Sequence, residues 1–208
     1  MNSQGQLRLT GGRKLLSPPG RLTRPTTGRV REAVMNILMP RLQGCSWLDL
    51  CCGSGIMGCE AIQRGAREVV AIEKDRRTAV IAKKNLLATA LSQRPSATVD
   101  VVSSSVESWL GFNQHPHPFD LIYFDPPYGA GMYTRVLEQI STQRVLHPMG
   151  LLICEHSKDC RPDLDEGSWT IHDHRDYGKT GLLFLELNRR ERCPGDTDSK
   201  QPQTNPEV

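Results

Sequence analysis

Strand-like apolar runs alternate with helical patterns along most of this 208-residue chain, and this alternation limits the possible folds more than any other feature. Short runs of β-branched and aromatic residues predict buried strands, and spacings of three and four residues between apolar positions predict helices. Strands that alternate with helices favour a parallel sheet covered on both faces, which places the chain in the α/β class. Strands are predicted at 46–50, 68–72, 97–102, 119–125 and 151–155, and helices at 75–91, 105–110 and 131–145.

The C-terminal part of the chain shows a different pattern, because two predicted strands follow each other without a helix between them. Segments 169–177 and 182–187 are joined by the turn-forming residues 178–181, which predicts an antiparallel pair that closes the sheet. From residue 189 to residue 208 no apolar periodicity remains. We therefore expect one folded domain over residues 44–188 and a disordered tail over residues 189–208.

Basic residues are concentrated near the N-terminus. Residues 1–35 hold seven Arg and Lys residues against one Glu, a net charge of +6, so the net charge of +3 for the whole chain leaves −3 for the remainder. A basic arm on a mildly acidic body is the charge layout of a protein that contacts a phosphate backbone. A solvated basic terminus without a partner has the same composition, and charge alone does not separate the two.

Two elements are predicted within this arm, which we assign to residues 1–43. Gly11-Gly12 lies between two short segments with apolar and basic residues, which predicts a basic hairpin. Thr27 is a candidate N-cap for a helix that ends at Pro40 or Gly44. The polar face of this helix is suited either to RNA contact or to simple solvation.

Composition excludes several classes of protein. No run approaches the roughly 18 apolar residues of a membrane span, and the polar residues 1–6 lack the apolar core of a signal peptide, so we expect a cytoplasmic protein without a membrane partner. The seven cysteines include no C-x-x-C pair, so reduced thiols are expected. His-x-His pairs occur at 115–117 and 172–174, but neither has a Cys or Glu at ligand spacing, and no metal site is predicted.

A glycine-rich turn, Gly53-Ser54-Gly55, follows the first predicted strand and precedes a helix. In such a turn the backbone can approach a ligand closely, and an anionic group can meet unpaired N–H donors at the helix N-terminus. Glu73 ends the next strand, 24 residues after Asp49, and an acidic residue at about this spacing suits hydrogen bonds from two ribose hydroxyls. The spacing predicts a nucleoside-binding site, whereas the alternative is an exposed acidic residue at a helix start.

Asp125-Pro126-Pro127-Tyr128 follows the apolar run at 119–124 and precedes a glycine. The carboxyl end of a buried strand is where open α/β sheets place their ligands. Two prolines fix φ and remove two N–H donors, so the turn is rigid and offers a carboxylate, backbone carbonyls and an aromatic ring. These groups suit a planar amine on a stackable base. The alternative is an ordinary strand-to-loop turn.

These motifs together resemble those of a known enzyme family. The segment 49–55, Glu73 and the Asp-Pro-Pro-Tyr turn resemble S-adenosylmethionine-dependent methyltransferases that modify exocyclic amines, including DNA adenine enzymes. The stretch from Arg-Pro-Thr-Thr to Arg-Glu at residues 24–32, together with Gly-Gly at 11–12 and Tyr-Gly at 177–178, is similar to the bacterial RsmD family. That family methylates the N2 amine of a guanine in small-subunit ribosomal RNA. The likeness covers residues 7–188.

The resemblance implies a Rossmann-like class I methyltransferase fold, with a mostly parallel seven-stranded sheet and a C-terminal antiparallel hairpin. It also implies S-adenosylmethionine as the cofactor and 16S ribosomal RNA, within the small ribosomal subunit, as the partner of a monomeric enzyme. The residues expected to contact the cofactor are Asp49, Gly53, Ser54, Gly55, Glu73 and Ser105, the last standing where the family usually has Asp or Asn. The residues expected to contact RNA are Arg8, Arg13, Arg24, Arg29 and Arg31.

The expected catalytic residues are Asp125, Pro126, Pro127 and Tyr128. A guanine N2 amine is a poor nucleophile because its lone pair is delocalised, so the enzyme must position the amine and accept its protons. We expect the Asp125 carboxylate and the Pro126 carbonyl to accept the two N–H groups while Tyr128 stacks on the base. No metal is needed, since a sulfonium is already a good leaving group. The alternatives are a DNA adenine or protein glutamine methyltransferase, and an RNA-binding protein that has lost catalysis.

Overall fold

The computed structural model describes residues 7–18, 27–112, 115–127 and 131–188. These residues form a seven-stranded sheet with helices on both faces. The predicted disordered tail lies outside the described residues. In chain order the elements are α1 Gly28–Leu42, β1 Ser46–Leu50, α2 Ile56–Gln63, β2 Glu68–Glu73, α3 Arg76–Ala90, β3 Thr98–Ser103, α4 Val106–Gly111, β4 Phe119–Phe124, α5 Tyr133–Thr142, β5 Leu146–Ser157, β6 Trp169–Tyr177 and β7 Thr180–Leu187.

The strand order in the sheet is β3-β2-β1-β4-β5-β7-β6. Strands β1 to β5 are parallel, and β7 runs antiparallel to both of its neighbours. This arrangement confirms the predicted α/β class, the mostly parallel sheet and the C-terminal hairpin. Strand β1 pairs with β2 on one side and with β4 on the other, so the winding direction of the chain reverses beside β1. In open α/β sheets, ligands bind in the crevice at such a switch point.

Most predicted elements occur with small changes at their ends. The Thr27 hydroxyl accepts a hydrogen bond from the Val30 N–H at 3.3 Å, which confirms the predicted N-cap of α1. This helix ends at Leu42, beyond one predicted stop and before the other. Strand β5 is longer than predicted, because Leu146 already pairs with Phe119 before a register shift leads into the regular ladder.

Each face of the sheet has its own hydrophobic core, since successive strand side chains point to opposite faces. On one face Trp47 stacks on Tyr123 with ring centroids 6.1 Å apart, and α1, α2 and α3 cover this layer. On the other face Leu50 and Phe124 belong to a cluster completed by α4 and α5. Leu50 and Phe124, the last residues of β1 and β4, are therefore fixed by packing.

The described part of the N-terminal arm packs on the first of these cores. Residues 7–18 form a tight turn with one β-bridge between Arg8 and Lys14, as the Gly-Gly pair predicts. Leu9 and Leu15 are buried in the same cluster as α1 and α2. The turn is therefore held against the domain by apolar burial. Along the described ranges, no helix has both the length and the apolar character needed to cross a bilayer.

Candidate active site

The carboxyl ends of β1, β2 and β4 lie side by side and bring the predicted site residues to one edge of the sheet. Asp49 of β1 is in register with Ala71 of β2 and Tyr123 of β4. Glu73 ends β2, and Asp125 directly follows β4, with its N–H 3.5 Å from the carbonyl of Leu50. Asp49, Glu73 and Asp125 therefore all lie near the carboxyl ends of the strands that meet at the switch point.

The loop between β1 and α2 owes its shape to glycine. Gly53 and Gly55 have φ values of 53° and 74°, which residues other than glycine rarely adopt. A Cβ on Gly53 would meet nothing within 4 Å, so the space above this residue is open to a ligand. A Cβ on Gly55 would lie 3.2 Å from Leu86, so this residue also lets α2 pack closely on α3.

Asp49 fastens β1 to α2. Its carboxylate accepts a hydrogen bond from the Gly58 N–H at 3.2 Å, and only 2% of the residue is exposed. Burial raises the pKa of Asp49 to about 7, the Gly58 N–H lowers it, and the charge of Glu73 raises it. The sequence motif did not single out Gly58, where a Cβ would come within 2.9 Å of Leu86 and Val69.

Glu73 lies beside the glycine loop and is partly exposed to solvent. One carboxylate oxygen accepts from the Gly53 N–H at 2.9 Å, and the other accepts from the Asp75 N–H at 2.9 Å. A carboxylate can accept about four hydrogen bonds, so each oxygen can still accept one from a hydroxyl group. The position and the remaining acceptor capacity fit the expected ribose contact, which stays a prediction.

Ser105 has a structural role at the N-terminus of α4. Its hydroxyl oxygen accepts from the Ser108 N–H at 3.1 Å and donates to the Ser108 hydroxyl at 2.8 Å. The expected contact with the adenine of the cofactor stays a prediction. Glu107, in the first turn of the same helix, was not singled out from the sequence, although its charge raises the pKa of Cys51 beside the glycine loop.

The Asp-Pro-Pro turn begins where β4 leaves the sheet. Asp125 is partly buried, Pro126 is buried and Pro127 is exposed, so the turn leads from the core to the surface. Tyr128 lies outside the described residues, and its expected stacking role stays a prediction. The pKa of the neighbouring Cys51 thiol is raised, first by burial and then by negative charges nearby, those of Glu73, Asp125, Asp49 and Glu107. The crevice is thus electronegative and suits a cationic ligand.

Two buried polar side chains support this edge of the sheet, and no local pattern in the sequence indicates their hydrogen bonds. Asn85 of α3 donates to the Ser54 carbonyl at 2.9 Å and exchanges hydrogen bonds with the backbone of Leu16 at 2.9 and 3.0 Å. The Tyr123 hydroxyl donates to the Glu155 carboxylate at 2.5 Å, which ties β4 to β5 just before the Asp-Pro-Pro turn. Asn85 therefore connects the glycine loop to the N-terminal arm.

The arginines expected to contact RNA separate into different environments. Arg29 is exposed on the first turn of α1, Arg8 is exposed on the N-terminal turn, and Arg13 donates to the Ser92 hydroxyl at 2.5 Å. Arg24 lies outside the described residues.

The structure corrects the expectation for Arg31. This residue is 9% exposed, its Nε lies 2.9 Å from a carboxylate oxygen of Glu60, and its guanidinium also donates to the Arg8 carbonyl at 2.9 Å. A guanidinium neutralised inside the protein is not available to a phosphate. Position 31 was misassigned because helical spacing alone does not show that the arm folds over this side of α1.

Comparison with known proteins agrees with the fold and the motifs. The sequence matches the model of the family described as Conserved hypothetical protein 95 over residues 5–186. Ribosomal RNA small subunit methyltransferase D of Haemophilus influenzae is 31% identical, over 89% of this chain and 95% of the relative. The protein of the same name from Escherichia coli is 29% identical, over 95% of this chain and 96% of the relative.

A solved structure gives the same result for the fold. The yhhF protein of Escherichia coli superposes with a TM-score of 0.74 at 31% identity, and the match covers 89% of this chain and 100% of that chain. Since the family model covers most of the sequence, this chain belongs to the Conserved hypothetical protein 95 family, the family of the RsmD methyltransferases.

Proposed function

We propose that this protein transfers a methyl group from S-adenosylmethionine to the exocyclic N2 amine of a guanine in 16S ribosomal RNA. The observation that carries the proposal is the position of the Asp125-Pro126-Pro127 turn, which lies at the switch point beside the glycine loop and Glu73. Relatives named ribosomal RNA small subunit methyltransferase D support RNA as the substrate.

The residues of the crevice fit S-adenosylmethionine, which would supply the methyl group from a sulfonium. Glu73 would accept hydrogen bonds from the ribose hydroxyls, since its carboxylate is held at the lip of the loop by the Gly53 N–H. The open space above Gly53 admits the ligand to the backbone. The surrounding carboxylates favour a cation over a neutral product, which assists release after transfer.

The Asp-Pro-Pro turn would hold the target amine. The Asp125 carboxylate and the Pro126 carbonyl are acceptors on a backbone restricted by two prolines, so they can bind both N–H groups and direct the nitrogen lone pair at the methyl group. Tyr128 would stack on the base. Positioning of this kind makes the reaction effectively intramolecular and can lower the barrier by several kcal/mol. The target base must first leave its stack, at a cost of a few kcal/mol.

The basic arm would offset that cost through phosphate contacts. Arg8, Arg13 and Arg29 remain candidates, because Arg8 and Arg29 are exposed and Arg13 is partly exposed. Phosphate contacts position a nucleic acid without reading its sequence. As part of the same proposal, the protein acts as a monomer in the cytoplasm on RNA of the small ribosomal subunit.

The proposal is tested by transfer of a labelled methyl group from S-adenosylmethionine to small-subunit particles, naked 16S RNA and duplex DNA, followed by nucleoside analysis. We expect N2-methylguanosine from a ribosomal substrate. Asp125→Ala should abolish transfer while calorimetry shows nearly unchanged cofactor affinity. Asp100→Ala is the matched control, since Asp100 is an exposed carboxylate on β3.

Each other outcome contradicts a stated part of the proposal. N6-methyladenine in DNA would favour the rival assignment as a DNA adenine methyltransferase. Normal turnover by Asp125→Ala would refute the role given to that carboxylate. Bound cofactor without label in any nucleic acid would point to a protein side chain as the substrate, and absence of cofactor binding would favour an RNA-binding protein without catalysis.

A further inference from the structure

A cluster of two histidines and one glutamate lies at the amino edge of the sheet, opposite the methyl-transfer crevice. Glu68 is the first residue of β2, and His115 and His117 precede the start of β4 at Phe119. Strands β2 and β4 are both parallel to β1, so their amino ends share one edge. No glutamate stands at ligand spacing from the His-Pro-His segment in the sequence, and the fold brings Glu68 to it from β2.

The potential ligand atoms in this cluster are close together. His115 Nε2 lies 3.5 Å from one Glu68 carboxylate oxygen, and His117 Nε2 lies 3.9 Å from the other. One ligand atom from each of the three residues lies within 4.8 Å of the other two. The side chains are 14%, 22% and 44% exposed for His115, Glu68 and His117. The cluster is therefore shielded on one side and open to solvent at His117.

The hydrogen bond of His115 fixes what its other nitrogen can do. His115 Nδ1 lies 2.7 Å from the His117 carbonyl oxygen. A carbonyl oxygen can only accept a hydrogen bond, so Nδ1 carries the proton. In a neutral imidazole Nε2 then has a lone pair of electrons. This lone pair faces the Glu68 carboxylate, which also only accepts. Two acceptors that face each other in this way can both coordinate a cation bound between them.

The geometry around His115 resembles the surroundings of metal ligands in general. Histidine ligands typically donate their second ring N–H to a carbonyl or carboxylate, as Nδ1 does here. The ring also packs on Phe119, with centroids 4.3 Å apart, and Pro116 restricts the backbone between the two histidines. The ligands are thus partly preorganised, and small side-chain rotations would bring them to the roughly 2.0–2.2 Å that zinc requires.

We propose that Glu68, His115 and His117 bind one divalent transition-metal ion, with zinc as the expected ion. Two imidazole nitrogens and one carboxylate oxygen match the ligand preference of zinc, whereas magnesium and calcium prefer oxygen ligands alone. Three protein ligands leave a fourth position for water or an external group. The bound ion would connect the segment before β4 to β2, at the end of the sheet remote from Asp125, and would stabilise this edge of the domain.

The test is calorimetric titration of zinc chloride into untagged, chelator-treated protein at pH 7.5. We expect one equivalent to bind, with an increase in Tm. His117→Gln and Glu68→Gln should each weaken binding by about tenfold or more. His172→Gln is the matched control: His172 Nδ1 lies 3.4 Å from a Glu186 oxygen, yet among the described residues this pair belongs to no three-ligand group. The affinity of the His172→Gln variant for zinc should stay within about twofold of that of the wild type.

Cobalt spectroscopy separates this site from the cysteines. Cobalt bound by His and Glu gives visible d–d bands without the near-ultraviolet thiolate charge-transfer band, and zinc should displace it. A thiolate band, equal binding by wild type and Glu68→Gln, or no binding at pH 7.5 would each overturn the proposal. Circular dichroism of the His117→Gln variant checks folding, and this exposed substitution should leave the spectrum unchanged. The outcome does not depend on the methyl-transfer assay.

Discussion

Glu60 of α2 is expected to be the most sensitive single charge in the described structure. Its carboxylate is fully buried and has four hydrogen-bond donors around it. One oxygen lies 2.9 Å from Arg31 Nε and also accepts from the N–H and hydroxyl of Thr10 at 2.8 and 3.0 Å. The other oxygen lies 2.5 Å from Arg64 Nη1. Glu60 therefore joins the N-terminal turn, α1 and α2.

Replacement of Glu60 by Gln removes the charge and places an N–H₂ group against one of these donors. Removing one partner of a buried ion pair typically costs about 3–5 kcal/mol, because the remaining charge is left without compensation. For a domain of this size about 1 kcal/mol changes Tm by roughly 2–4 °C, so Tm should fall by about 6–20 °C. Total stabilities are only about 5–15 kcal/mol, so this loss is large.

The assay is urea denaturation followed by circular dichroism, with Glu186→Gln as the matched control. Glu186 pairs with Arg41 at 3.4 Å, and both side chains are more than one third exposed, so its loss should cost under about 1 kcal/mol. Hydrogen exchange at the Thr10 amide should also accelerate in Glu60→Gln. A destabilisation no larger than that of the control would refute the reasoning, and unchanged exchange at Thr10 would refute the link to the N-terminal turn.

Three further predictions concern the crevice. Glu73→Gln should weaken cofactor binding by about tenfold, the effect of roughly 1.4 kcal/mol, and an unchanged calorimetric Kd would contradict the ribose contact. Asn85→Ala should cost about 1–3 kcal/mol of stability, because the backbone groups of Leu16 and Ser54 lose their buried partner; urea denaturation equal to wild type would contradict this. Burial raises the pKa of Asp49 to about 7 from 3.8, so its stabilising contribution is complete below pH 3.8 and is lost as pH rises through about 7. Relative to Asp49→Asn, the cofactor-free wild type should therefore lose stability between about pH 4 and 7, and parallel stability curves for the two proteins would refute this.

Local sequence patterns were sufficient to predict the α/β class, the parallel strands and the antiparallel pair that closes the sheet. Apolar runs and helical spacing depend on neighbours along the chain, and the carboxyl ends of parallel strands necessarily share an edge. Asp49, Glu73 and Asp125 could therefore be placed together before the structure was known. Their contacts with cofactor and substrate remain predictions.

Tertiary structure alone decided the partners of the buried polar residues. Glu60 and Arg31 stand on different helices, and their pairing depends on how α1 packs on α2 and how the N-terminal turn covers both. The same applies to Asn85 beneath the glycine loop.

The cluster of Glu68 with the two histidines is a further example of side chains that only the folded structure brings together. Spacing along the sequence shows no third ligand for the two histidines, but the order of the strands brings Glu68 beside the His-Pro-His segment. The sequence by itself determined where the strands end and which acidic and glycine residues lie at those ends, because these features follow from local periodicity. The pairing of distant charges was decided by the packed fold, because no local pattern encodes which surfaces will be buried against each other.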